Sequence, residues 1–192
     1  MKEALSNTQK RLGQFFTAPE VAQTLVRWVV RHPSQRLLDP ACGDGEFLVC
    51  HRRAVGIDVA REHTLMARAR APGALVHEGD FFLWASRTNE RFDAAAGNPP
   101  FIRYQSFSGQ TRERALAEAA RLGAGFNGLS SSWAPFLVVA AGLLRPGGAM
   151  AFVVPAEIGH ATYSEPLLET LASHFDRVHV IAFRDKLFPA LS

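Results

Sequence analysis

The stretch Arg36-Leu37-Leu38-Asp39-Pro40-Ala41-Cys42-Gly43-Asp44-Gly45-Glu46-Phe47-Leu48 constrains the fold of this chain more than any other. It reads as a short apolar strand, a tight loop with two glycines and the start of a helix. That is the first βα turn of a doubly wound α/β sheet, where ligands settle beyond the carboxyl ends of the strands. The rest of the chain keeps the same alternation of apolar runs and helical periods. Strands are predicted over residues 54–58, 75–83 with an exit loop, 91–97, 149–154 and 178–183. Helices are predicted from Thr17 to about Val30 and over residues 63–70, 111–122, 132–144 and 163–174. Thr17 is placed to cap the first of these, with Pro19 in the first turn and Glu20 three residues after Thr17 as in a capping box. Pro72-Gly73 stops the helix that ends at Arg70, and Pro146-Gly147-Gly148 breaks the chain sharply before the fifth strand.

Composition sets the outer limits. The chain has 192 residues, 47% hydrophobic and 20% charged, which suits one globular domain with a sizeable core. No apolar run is long enough to cross a bilayer, and the polar opening, residues 1–14, lacks the apolar centre of a signal peptide, so a cytoplasmic protein with no membrane partner is expected. Cys42 and Cys50 do not have zinc-finger spacing; both are expected to be reduced, with no metal bound. The formal charge of +3 suits a polyanionic partner without requiring one. Arg103, Arg112, Arg114 and Arg121 lie where a nucleic-acid backbone could pass, and a solvated helix face with Glu113 and Glu118 accounts for them equally well.

The first loop also selects its ligand. A nicotinamide enzyme would more often show Gly-x-Gly-x-x-Gly here, with backbone pressed against a pyrophosphate. Asp39 and Asp44 would repel phosphate but can pair with the amino group of a cationic ligand; S-adenosylmethionine carries an ammonium and a sulfonium. Asp58, at the end of the second predicted strand, can accept both hydroxyls of a ribose, which fits either cofactor. Asp80 can accept from an adenine amino group while Phe81 lies on the ring. Alternation of Phe81 and Phe82 between core and surface is the plainer reading of that pair.

Asn98-Pro99-Pro100-Phe101 follows the fourth strand and is the candidate catalytic loop. The exocyclic amine of adenine is a poor nucleophile because its lone pair is delocalised into the ring. The Asn98 side-chain carbonyl and the Pro99 backbone carbonyl, two acceptors aimed at that amine, return electron density to nitrogen most strongly where charge develops. Phe101 can replace the neighbours that a base loses on leaving its stack. An ordinary Pro-Pro turn with Phe101 in the core explains the tetrapeptide alone about as well. Cytosine C5 methylation needs a cysteine nucleophile, usually after proline, and neither cysteine is so placed.

Taken together, these stretches resemble the DNA methyltransferases that modify adenine at N6, in the group with the cofactor region first and the target-recognition region last. The likeness runs from about Gly13 to Pro189. Residues 13–21 look like the family's N-terminal cofactor motif, with Ala18 where a proline is more usual. Residues 38–48 are similar to its Asp-Pro-Ala-Cys-Gly-x-Gly-x-Phe-Leu motif, with Asp44 where serine or threonine is commoner. The resemblance implies a Rossmann-like S-adenosylmethionine-dependent methyltransferase sheet with helices on both faces, lacking its last antiparallel strand. It implies that Thr17, Asp39, Ala41, Gly43, Asp58, Asp80 and Phe81 bind S-adenosylmethionine, and that Asn98, Pro99 and Phe101 carry catalysis. Phe188 would face Phe101 across a flipped adenine. Residues 13–97 then serve mainly the cofactor and 98–192 the target base of duplex DNA. No target-recognition domain is expected within residues 1–192. A further domain or a separate specificity subunit would supply it, unless the chain is a fragment or a decayed cofactor-binding remnant. RNA adenine and a protein glutamine amide, which present a similar planar nitrogen, stay open as acceptors.

Overall fold

The computed structural model describes residues 17–102, 105–126, 130–161 and 164–182. Among them five strands form one all-parallel sheet in the order β3-β2-β1-β4-β5. They are β1 (Leu37–Asp39), β2 (Ala54–Asp58), β3 (Leu75–Glu78), β4 (Phe92–Gly97) and β5 (Leu144–Phe152). The helices are α1 (Pro19–Val29), α2 (Arg61–Arg70), α3 (Phe81–Ala85), α4 (Gly109–Arg121), α5 (Trp133–Gly142) and α6 (Ser164–His174), with short 3₁₀ turns at Leu48–Cys50 and Ala156–Gly159.

Successive side chains of a strand point to opposite faces, and a sheet covered on both sides must be apolar on both. Leu37, Ala54, Ala94 and Ala96 accordingly pack against Ala22, Val26 and Val29 of α1 and Ala67 of α2. Leu38, Val55, Ile57 and Ala95 face the other way, onto Phe81 and Phe82 of α3, Ala115 of α4 and Phe136 and Val139 of α5. The opposite side of α5, with Trp133, Leu137 and Val138, packs on Leu167 and Leu171 of α6. Because α5 lies between two such layers, it is apolar all round.

At four places the chain departs from the conformation its sequence predicts. The exit of β3 is not extended: Asp80 turns the chain into α3 by accepting the Leu83 amide at 2.8 Å, and both Phe81 and Phe82 are buried rather than alternating. A short side-chain acceptor before an apolar run caps a helix as readily as it ends a strand. The strand β5 begins at Leu144, paired with Phe92; the ladder resumes at Ala149 opposite Ala94, so Arg145 to Gly148 bulge out of it. Residues 178–182 form no strand, and Val178, Val180 and Ile181 are exposed. An apolar alternation becomes a strand only where a neighbour takes its backbone hydrogen bonds, and β5 is paired with β4 alone among the described residues. Finally, Ala18 rather than Thr17 occupies the N-cap position of α1, with no side-chain cap bond. The positions Gly13, Arg103, Phe183 and Phe188 lie outside the described residues.

Candidate active site

The chain reverses its direction of travel across the sheet between β1 and β4, which are neighbours. Crevices at such a point are where α/β sheets hold ligands. A cleft of about 370 Å³ opens there, lined by Thr17, Ala41, Gly43, Asp58, Asp80, Phe81 and Asn98 among others. Seven of the predicted site residues, separated by as many as 81 positions in sequence, therefore share one cavity.

The loop after β1 is held by its own backbone. Cys42 N–H donates to the Ile57 carbonyl at 2.9 Å and Gly45 N–H to the Cys42 carbonyl at 2.8 Å. Gly43 and Gly45 take φ of 52° and 93°, the left-handed region that side chains other than glycine rarely enter. A Cβ on Gly45 would stand 3.1 Å from the Ala67 backbone, so this glycine also lets α2 approach.

Asp58 ties three elements together. Its Oδ2 accepts from Gly43 N–H at 3.0 Å and its Oδ1 from Ala60 N–H at 2.8 Å, while His63 Nδ1 lies 3.5 Å from Oδ1. Each oxygen keeps a further lone pair, so the carboxylate is fixed in orientation and still able to accept. Asp44 and Glu46 are less available: Arg70 donates to both carboxylates at 2.5 Å. The cationic ligand expected to meet Asp44 would therefore compete with Arg70 for it.

Asp39 does not line the cleft. It is fully buried, accepts from Ala41 N–H at 3.2 Å through Oδ1, and lies so close under β4 that a Cβ on Gly97 would come within 2.6 Å of that oxygen. Burial, assisted by the nearby Asp58 charge and opposed by the Ala41 hydrogen bond, raises its pKa to about 8. Burial first, then the carboxylates of Asp39 and Asp58, push the Cys42 thiol far above its ordinary range, which leaves it inert as a nucleophile.

On the other side of the cleft, Asn98 Nδ2 donates to Thr17 Oγ1 at 3.2 Å. Pro99 is buried, and Phe101 is half-buried against the α5–α6 cluster rather than in the cleft wall. Ser132 is a site residue that the sequence does not announce. Its hydroxyl accepts from Ile102 N–H at 2.9 Å and donates to the Pro100 carbonyl, and its own N–H donates to the Ile102 carbonyl at 3.0 Å. Within Ser130-Ser131-Ser132 no local signal marks the third serine out. His63 and Phe136 are also in the wall; nothing in the sequence marks Phe136, and the only signal for His63 is its place five residues after Asp58.

The chemistry of the lining states what it can hold. Four carboxylates border the cleft and no lysine or arginine does among the described residues; Asp44 and Glu46 are paired with Arg70, and Asp58 and Asp80 would repel an anionic phosphate. Phe81, stacked 5.2 Å from Phe136, and the exposed Val59 supply apolar wall, and a Cβ at Gly43 or Gly79 would meet nothing within 4 Å, leaving open space over both loops. A ribose and a purine carried by a cationic tail fit that donor set.

A parallel sheet in this order with its cleft at the β1–β4 switch is the fold of the S-adenosylmethionine-dependent methyltransferases. A methyltransferase subunit of a type I restriction-modification system from Streptococcus thermophilus superposes with a TM-score of 0.67 at 19% identity, covering 85% of this chain and 39% of that one. A protein of Listeria monocytogenes assigned to the class I S-adenosylmethionine-dependent methyltransferases superposes with a TM-score of 0.63 at 18% identity, covering 81% of this chain and 50% of that one. Within this class the chain belongs to the Eco57I restriction-modification methylase family, whose model matches residues 61–188; the N-6 DNA Methylase model matches residues 1–71. The type II methyltransferase M.TthHB8I of Thermus thermophilus is 29% identical over 161 residues, 77% of this chain. The chain spans 35% of that relative's length.

Proposed function

We propose that this chain is the catalytic part of a DNA methyltransferase that methylates adenine at N6, as the modification activity of a restriction-modification system. The observation that carries the reading is that the Asn98 carboxamide and the fixed Asp58 carboxylate line one cleft at the switch point. Bound S-adenosylmethionine supplies a methyl group on a sulfonium already activated to leave. Asp58 would accept from the ribose hydroxyls, Asp80 and Phe81 would hold the adenine, and Ala41 and Gly43 would border the methionine end.

At the target, Asn98 and the Pro99 carbonyl accept the two hydrogens of the exocyclic amine, which localises its lone pair for attack on the methyl carbon. S-adenosylmethionine held by Asp58, Asp80 and Phe81 would supply the methyl group and depart as the neutral thioether, and the surplus amine proton would pass to solvent. Phe107 and Phe136 give one side of the cleft an apolar wall. Because Phe101 packs against the α5–α6 cluster and not in the cleft wall, stacking on the flipped base is assigned to Phe188, which lies beyond the described residues. The type I relative is one subunit of a larger system, and this chain spans only part of the relatives it matches. Both facts support a further domain or subunit that chooses the DNA sequence.

The test is methyl transfer from labelled S-adenosylmethionine to unmethylated DNA, RNA and a glutamine peptide side by side. DNA is expected to be labelled, with N6-methyladenine as product. Asn98→Ala should reduce transfer at least ~100-fold, the size expected for loss of one transition-state acceptor, while cofactor affinity stays within a few fold. Asp58→Ala should do the converse. Equal turnover by wild type and Asn98→Ala would remove the mechanism.

A further inference from the structure

From the three bonds that converge on Ser132 we infer that this serine is a positioning residue for the target-base loop, holding residues 98–102 in the shape in which Asn98 lines the cleft. The inference rests on the function proposed above.

Two prolines in succession leave residues 98–102 poor in backbone donors, because neither ring carries an N–H. Such a loop cannot tie itself down, and a carbonyl pair that swings loses its value to a transition state, since the donors or acceptors that stabilise it act by being already in place. Ser132 supplies what the loop lacks. Its hydroxyl stands between Ile102 N–H, from which it accepts at 2.9 Å, and the Pro100 carbonyl, to which it donates, while its backbone N–H meets the Ile102 carbonyl at 3.0 Å.

The serine does this against its own local preference. It occupies the N-cap position of α5, where a serine hydroxyl ordinarily accepts from the first turn of its helix, yet it is in helical backbone geometry and makes no cap bond. The hydroxyl has been diverted to the loop 30 residues upstream. Ser132 is also fully buried, so water cannot substitute for either bond. Because the rest of α5 is locked between the sheet and α6, the loop is anchored to the most enclosed helix among the described residues.

Ser132→Ala and the near-isosteric Ser132→Cys are to be compared with the wild-type chain by three measurements. These are the exchange rate of the Ile102 amide by NMR, kcat and KM for transfer to unmethylated DNA, and the dissociation constant for S-adenosylmethionine. In Ser132→Ala the Ile102 amide is expected to exchange at least ~10-fold faster and kcat to fall ~10- to 100-fold, with cofactor affinity and the exchange of β4 and α5 amides changed less than ~2-fold. Ser132→Cys, a weak donor and acceptor, should fall between. An unchanged Ile102 amide, or a freed Ile102 amide with unchanged kcat, overturns the assignment. Uniform loss of protection across β4 and α5 in both variants also overturns it, by reducing Ser132 to a packing role. A wild-type chain without transfer to DNA sinks the proposed function instead, and the Ile102 exchange then decides the clamp by itself.

Discussion

Asn98 and Thr17 illustrate how a residue suited to one task is given another by its neighbours. The sequence pattern assigns Thr17 to the cap of α1 and to the cofactor; the N-cap position falls to Ala18, and the Thr17 hydroxyl accepts from the Asn98 side chain instead. Removing that hydroxyl without changing shape, in Thr17→Val, should lower the rate of methyl transfer about 10-fold, the worth of one lost hydrogen bond, and Thr17→Ser should restore it. Single-turnover kinetics checks this, and a change in cofactor affinity alone would return Thr17 to the cofactor. Asp39 carries a pH signature. Its carboxyl titrates near 4 in the unfolded chain and at about 8 in the folded one, so between those values the unfolded state has lost a proton that the native state keeps. Native stability therefore falls as pH rises through that window and levels off above it. Urea unfolding at pH 5, 7 and 9 should show a decline in wild type that is largely absent in Asp39→Asn.

At the scale of elements, β2 and the first loop are pressed together where the sequence shows only a glycine in an apolar run. A Cβ at Gly56 would stand 2.7 Å from Leu48 Cδ1 and 2.8 Å from Cys42 Cβ and Sγ. The Leu48 methyl can rotate away, but Cys42 Cβ is fixed to the loop backbone. Gly56→Ala should therefore cost about 1–3 kcal/mol as overpacking does, read as a lower melting temperature together with weaker cofactor binding. Most elements were legible because both faces of β1, β2 and β4 are apolar and the helices between them keep their period. The errors fell at ends and edges: Asp80 capping a helix, the bulge from Arg145 to Gly148, and the unpaired run at residues 178–182. Each depends on a partner or a packing surface that periodicity does not report.

For the molecule as a whole, charge is distributed against easy DNA binding by the described surface of the cleft. Its lining holds Asp44, Glu46, Asp58 and Asp80 and no lysine or arginine among the described residues, while the formal charge of the chain is only +3. Phosphate contacts supply most non-specific affinity, so the 192-residue chain should bind duplex DNA no more tightly than about 1–100 µM at physiological salt, with little sequence preference. Fluorescence anisotropy with random and genomic fragments measures this, and tight, selective binding would contradict the assignment of sequence choice to another domain or subunit. Among the described residues no helix is long and apolar enough to cross a membrane.

The alternation of strands and helices, the glycine loop after β1 and the Asn-Pro-Pro-Phe loop after β4 can all be read from the residues alone, because backbone conformation and burial pattern are written locally. Tertiary structure alone decided that Thr17 meets Asn98, that Asp39 is sealed beneath Gly97, that Arg70 occupies Asp44, and that Ser132 rather than its neighbours grips the loop. Short polar side chains have no period of their own. Which of them bond is set by where a doubly wound sheet brings its loops together, and that place exists only once the chain has folded.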